Sequence, residues 1–212
     1  MGHRTALSTV EEFGLLDTAY PGRFDLGLGR SGGRPREPKA PLLQLPHAES
    51  QNYTDQVADV LALIAGTYRS PEGAEAHVVP GEGAALQVWI LGSSGGESAE
   101  VAGQRALRFA ANYHVSPATV LEAVDGYRAA FKPSAELERP YVSVSADVVV
   151  AGTEAAAREL AAGYGLWVRS IRTAAVAPVT KITAGTPIVC AGQVAFARRH
   201  RLVKMRDPRK IS

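Results

Sequence analysis

The chain has 212 residues, 46% of them apolar and 21% charged, which is the composition of an ordinary globular domain with enough apolar material for a core. No run reaches the roughly 20 apolar residues of a membrane-spanning helix, and the lone Cys190 rules out an intrachain disulfide, so a reducing cytoplasm is expected. The formal charge of +2 is uneven: residues 198–210 hold seven Lys or Arg and one Asp, leaving about −4 for the rest, so the basic balance belongs to a tail and not to a nucleic-acid-binding face.

Taken in chain order, Ser8 and Glu11 have the spacing of a capping box, and Val10, Phe13 and Leu16 recur on one face, predicting a helix from Ser8 that stops at Pro21-Gly22. Phe24 to Gly29 alternates as a strand and empties into Arg30-Ser31-Gly32-Gly33. Residues 31–48 lack periodicity and read as a long irregular loop at the C-terminal end of that strand. Helical spacing returns from Tyr53 through Val57, Val60, Leu61 and Ile64, with Gly66 as the terminator.

Residues 66–85 read as loop. Leu86 to Leu91 is a short apolar run of the kind found in buried parallel strands, and Gly92-Ser93-Ser94-Gly95-Gly96 follows it. A helix over Glu97 to Arg105, a strand over Leu107 to Tyr113, a helix over Pro117 to Phe131, a strand over Tyr141 to Val150 and a helix over Glu154 to Ala162 complete the pattern. Strands alternating with helices predict a parallel α/β architecture, and periodicity alone leaves both a barrel and an open doubly wound sheet available. After Gly163 the pattern degrades. Either a poorly patterned final βα unit runs from Gly185 through Arg199, or the tail departs from its ancestor, and the reading leans to the second.

Three segments carry a family resemblance: GHRTALSTVEEFGLLDTAYPGRFDLGLGRSGGRP, then VWILGSSGGESAEVAGQRALRFAANYH, then YRAAFKPSAELERPYVSVSADVVVAGTEAAAREL. In this order, spanning about Gly2 to Leu160, they resemble helix 3 and strand 4, strand 5, and helix 6 to helix 7 of the bacterial-luciferase-like flavin-dependent monooxygenases. The resemblance implies a partial (β/α)₈ barrel from helix 3 through helix 7, with the first three βα units missing. A full barrel typically takes about 250 residues. The expected organisation is a barrel segment over 1–165 and a poorly patterned segment with a basic tail over 166–212.

In such a barrel the strand C-terminal ends form the active site. Gly27 and Gly29 sit where side chains would intrude on a planar ring, and Arg30 can offer hydrogen bonds to phosphate or substrate or form a rim salt bridge. Gly92, Ser93 and Ser94 precede a helix, so they can bind phosphate oxygens or cap that helix. The resemblance implies that this loop contacts the flavin phosphate. His114, at another strand end, is the titratable group suited to proton transfer, and the resemblance makes it the catalytic candidate. The histidines and Cys190 lack metal-ligand spacing.

The activity so implied is oxidation of an organic substrate with molecular oxygen and reduced flavin mononucleotide (FMN) supplied by a flavin reductase, with deazaflavin coenzyme as the alternative cofactor and a homo-oligomer as a further assembly. A catalytically inactive fragment or a partner-dependent subunit is the competing reading, since an opened parallel barrel exposes strand edges.

Overall fold

The computed structural model describes residues 4–30, 52–113 and 116–164, which fall into two compact units divided between Ala146 and Asp147. The first unit contains α1 (Ala6–Ala19), β1 (Asp25–Gly29), α2 (Tyr53–Ile64), β2 (Gln87–Gly92), α3 (Glu97–Gln104), β3 (Arg108–Asn112), a 3₁₀ turn at Pro117–Thr119 leading into α4 (Val120–Ala130), and β4 (Val142–Ser145). The second contains α5 (Glu154–Ala161), whose first turn is capped by the Thr153 side chain accepting from the Ala156 N–H at 3.2 Å.

The four strands pair in chain order, β1-β2-β3-β4, and every pair is parallel, as the alternation of strands and helices predicts. Parallel neighbours require a crossover, and α2, α3 and α4 supply the three. Alternate side chains of the sheet, Leu26, Leu28, Val88, Ile90, Phe109 and Ala111, form one core with Val10, Val57, Val60, Val101, Ala102 and Tyr127 from the helices. Gly27, Gly29, Trp89, Leu91 and Ala110 therefore lie on the opposite face, which corresponds to the interior of a barrel.

Local chemistry explains the element ends, with two corrections. α1 starts at Ala6, ahead of the expected Ser8, because Thr5 is the cap: its Oγ1 accepts from the Ser8 N–H at 3.0 Å. β4 ends at Ser145, not Val150. The ladder pairs Asn112 with Ser145, and β3 itself ends at Asn112, so the β3–β4 pairing stops there. The end of α2 matches its expectation. Gly66 has φ +67°, its N–H bonds the Leu63 carbonyl at 3.3 Å, and the Thr67 N–H bonds the Ala62 carbonyl at 2.8 Å, a Schellman termination.

Residues 66–85 do more than connect. Val78 is buried, and a Cβ on Gly14 of α1 would come within 2.4 Å of the Gly81 Cα, so the loop backbone rests directly on the helix. The expected 165/166 boundary and the basic tail lie outside the described residues.

Tyr127 ties α4 to the sheet. Its ring stacks on Phe109 at 5.2 Å between centroids, its hydroxyl donates to the Leu107 carbonyl at 2.9 Å, and the same oxygen accepts from the Tyr141 N–H at 3.0 Å. Tyr127→Phe keeps the stack and strands both partners, so it should cost about 1–3 kcal/mol in urea denaturation. Gly103 lies where α3 meets α4, and an added Cβ would stand 2.7 Å from the Tyr127 carbonyl oxygen. Ala is ordinarily the better helix former by up to about 1 kcal/mol, yet Gly103→Ala should destabilise by about 1–3 kcal/mol through overpacking, read from the same denaturation midpoints.

Candidate functional site

Because the strands are parallel and in close register, their C-terminal ends share one rim: Gly29 pairs with Leu91, Gly92 with Ala111, and Asn112 with Ser145. Arg30 and the Ser93–Gly96 loop lie at this rim. Of the sequence candidates, the structure thus brings together Gly27, Gly29, Arg30, Gly92, Ser93 and Ser94. His114 lies outside the described residues.

The glycines have different surroundings. Gly27 is exposed on the face away from the helices, where a Cβ would meet only the Leu91 side chain at 3.0 Å, and one on Gly29 would meet the same side chain at 3.7 Å. Gly92 is buried and turned the other way: a Cβ there would press on the Phe109 ring at 2.9 Å and on Ser98 at 3.2 Å. Packing of β2 against β3 and α3 accounts for Gly92, while among the described residues a Cβ on Gly27 or Gly29 would meet the Leu91 side chain.

The loop after β2 is held from below. The Ser93 carbonyl accepts from the Thr119 hydroxyl, which is also 2.9 Å from the Ser116 Oγ. Gly95 lies against α4, its would-be Cβ 3.1 Å from Glu122, and Gly126 meets the Gly95 carbonyl oxygen in the same way at 3.1 Å. Ser94 is exposed. Neither serine caps α3. The N-cap is Gly96, which has no side chain to bond the first turn, so a helix N-terminus carrying partial positive charge faces the rim without a side-chain cap from its N-cap residue.

Arg30 forms the rim salt bridge, with Nη1 2.9 Å from Oε2 of Glu97, the first residue of α3. The other Glu97 oxygen, Oε1, accepts from the Thr54 hydroxyl at 3.4 Å. Next to Thr54, the Tyr53 hydroxyl donates to the Leu28 carbonyl at 3.0 Å. One carboxylate therefore links the ends of β1, α2 and α3. Burial pushes the Tyr53 phenol well above its ordinary pKa, with Arg30 opposing the shift and Glu97 adding to it. Sequence reading did not single out Glu97, Tyr53 or Thr54, because their contacts join residues 25 to 67 positions apart. The acidic residue opening a helix after a glycine-rich turn was the one local signal.

A family model described as luciferase-like monooxygenase matches residues 1–202. The chain belongs to the luciferase-like monooxygenase family. It is 38% identical over 151 residues to a luciferase-like monooxygenase of Escherichia coli, covering 70% of this chain and 43% of that one. It is 36% identical over 165 residues to the uncharacterized protein YvbT of Bacillus subtilis, covering 76% and 47%. The chain thus spans about half the length of the curated relatives it matches. Among solved structures it is similar to apo-MsnO8, with a TM-score of 0.66 and 28% identity over 82% of this chain and 50% of that one. A type II Baeyer–Villiger monooxygenase from Pseudomonas putida, in complex with FMN, shares the fold at TM-score 0.53 and 20% identity, covering 81% and 54%. These likenesses identify the four-stranded parallel α/β unit as part of a luciferase-like barrel.

The buried phenols set an alkaline limit on this luciferase-like unit. Burial raises both Tyr53 and Tyr127, so above the ordinary phenol value of about 10 the unfolded chain loses protons that the folded chain keeps. Stability from these groups is complete below that value and falls as pH rises through it. Tyr53→Phe should lower the urea midpoint at pH 8 through loss of the Leu28 bond, yet show a shallower decline between pH 9.5 and 11.5 than the unsubstituted chain. Parallel declines would count against a buried, neutral Tyr53.

Proposed function

We propose that this chain is the flavin-binding portion of a cytoplasmic monooxygenase that uses reduced FMN and molecular oxygen on an organic substrate, the reduced flavin coming from a separate reductase. The observation carrying the proposal is the meeting, at one rim, of an α3 N-terminus with no side-chain cap, a loop pinned to α4 and an arginine. A phosphate suits such a place: backbone N–H groups and the helix dipole favour an anion, and Ser93 and Ser94 add hydroxyls. Gly96 leaves space there, its would-be Cβ meeting only the Ser94 Oγ at 3.9 Å.

In this reading Gly92, Ser93, Ser94 and Arg30 hold the phosphate end, and the strand backbone at Gly27 and Gly29, which carries no side chain, lies under the ring. His114, two residues past the end of β3, is assigned proton transfer at the ring or substrate. Bound flavin supplies the redox chemistry with oxygen. The protein's part is placement: it orients the phosphate and positions the ring over the strand ends. Deazaflavin coenzyme is the alternative occupant of the same cradle.

A second reading, that the chain is inactive alone or works as a partner-dependent subunit, draws on one observation. Among the described residues, helices of the first unit pack on one face of the sheet, whereas parallel sheets ordinarily have helices on both; on the other face Trp89 and Ala110 are buried while Gly27 is exposed.

Titration of the purified chain with FMN, followed by flavin fluorescence quenching and paired with size-exclusion chromatography, separates the readings. Under the first, binding is saturable on a discrete species, FMN binds more tightly than riboflavin, and Ser93→Ala with Ser94→Ala weakens FMN by about tenfold, the loss of one or two charge-assisted hydrogen bonds. Absence of binding on a well-folded species would favour the second.

A further inference from the structure

Glu97 is out of place in an anion site. It is the first residue of the helix whose N-terminus takes the phosphate in the reading above, and its carboxylate is paired with the one arginine assigned to that phosphate. Glu100 adds a second acidic residue to the same turn, without a contact to Arg30 among the described ion pairs. We propose that Glu97 is an internal competitor for the phosphate: it occupies Arg30 and offsets the α3 dipole in the unliganded chain, and so keeps the flavin exchangeable.

The argument rests on the phosphate reading and on three further observations. First, the pair is poised to exchange partners. The Arg30 and Glu97 side chains are 50% and 37% exposed, so their pairing contributes little to folding and is screened by salt. Second, the carboxylate has a second partner that keeps it near the rim, because Thr54 on α2 donates to its other oxygen at 3.4 Å. Third, an arriving phosphate would lie beside a fixed like charge, and two anions at close range in a partly desolvated site each raise the cost of the other. Positive charge at a helix start already favours Glu97 there, so the carboxylate and a phosphate draw on one source of stabilisation.

This arrangement suits a flavin that arrives reduced from another protein and leaves oxidised. A cofactor held for the life of the enzyme gains from every anion contact, whereas one that must exchange is served by a moderate dissociation rate. Affinity differences within one site reside mostly in that rate. Glu97 is thus a specificity-setting and positioning residue and not a catalytic one.

The test compares FMN and riboflavin binding, at two ionic strengths, to the unsubstituted chain and to Glu97→Gln, Glu100→Gln and Arg30→Ala. Gln keeps the size of Glu97 and an oxygen acceptor for Thr54 while removing the charge. Glu97→Gln should bind FMN about tenfold more tightly with a slower off-rate, the gain shrinking at high salt, and should leave riboflavin unchanged. Glu100→Gln, with the same change in net charge, should gain much less, and Arg30→Ala should lose FMN affinity. Equal or weaker FMN binding by a folded Glu97→Gln would overturn the competitor role, as would an equal gain from Glu100→Gln. If the unsubstituted chain does not distinguish FMN from riboflavin, the phosphate reading itself falls, and the competitor role with it.

Discussion

Parallel pairing is the constraint from which the rest of this structure follows. Strands that all run the same way must each be re-entered from the opposite end, so every connection climbs back along the sheet as a helix and every strand empties at the same rim. The apolar side chains that glue helices to sheet then occupy one face, and the residues that follow each strand are gathered without any of them being near in sequence. The meeting of Arg30 with Glu97 is a by-product of the β1–β2 register, and that of Tyr53 with Leu28 of the return of α2 along β1. A slip of β1 by one residue would turn Leu26 and Leu28 out of the core, and a slip of β2 would do the same to Val88 and Ile90, so hydrophobic burial enforces the register on which the candidate site depends.

Much of the framework was legible because its signals are local. A continuous apolar run bounded by glycines marks β2, and a glycine that has to adopt positive φ marks the end of α2. The family likeness rests on segments that combine such signals in order, and it selects the barrel over the open doubly wound sheet, a choice that periodicity left open. Where the sequence misled, a long-range partner decided the outcome. The alternating residues after Ser145 have a strand-like pattern, but the ladder with β3 ends at Ser145, and alternation by itself does not make a strand. The segment over residues 66–85 has no period at all, yet its Gly81 packs on α1 through bare backbone, a contact that only three-dimensional structure supplies.

The candidate site divides along the same line. Residues recognisable by type, such as the glycines, the serines after β2 and Arg30, stand out in the sequence. The residues that hold them in place, Thr54, Glu97 and Thr119, are of common types in unremarkable positions, and their importance comes from whom they touch. Gly92 makes the converse point. It stands in the loop motif, but its missing side chain is explained by the Phe109 ring behind it.

The contact between Gly95 and Gly126 has a consequence for the energetics of ligand capture. With no side chain on either residue, the loop after β2 lies backbone to backbone on α4, and its position does not depend on the rotamer of an intervening group. Backbone freedom that a loosely held loop would surrender when a ligand docks has here been surrendered already, during folding. The entropy of ordering this loop is thus charged against the stability of the fold, and a ligand docking there would not have to supply it.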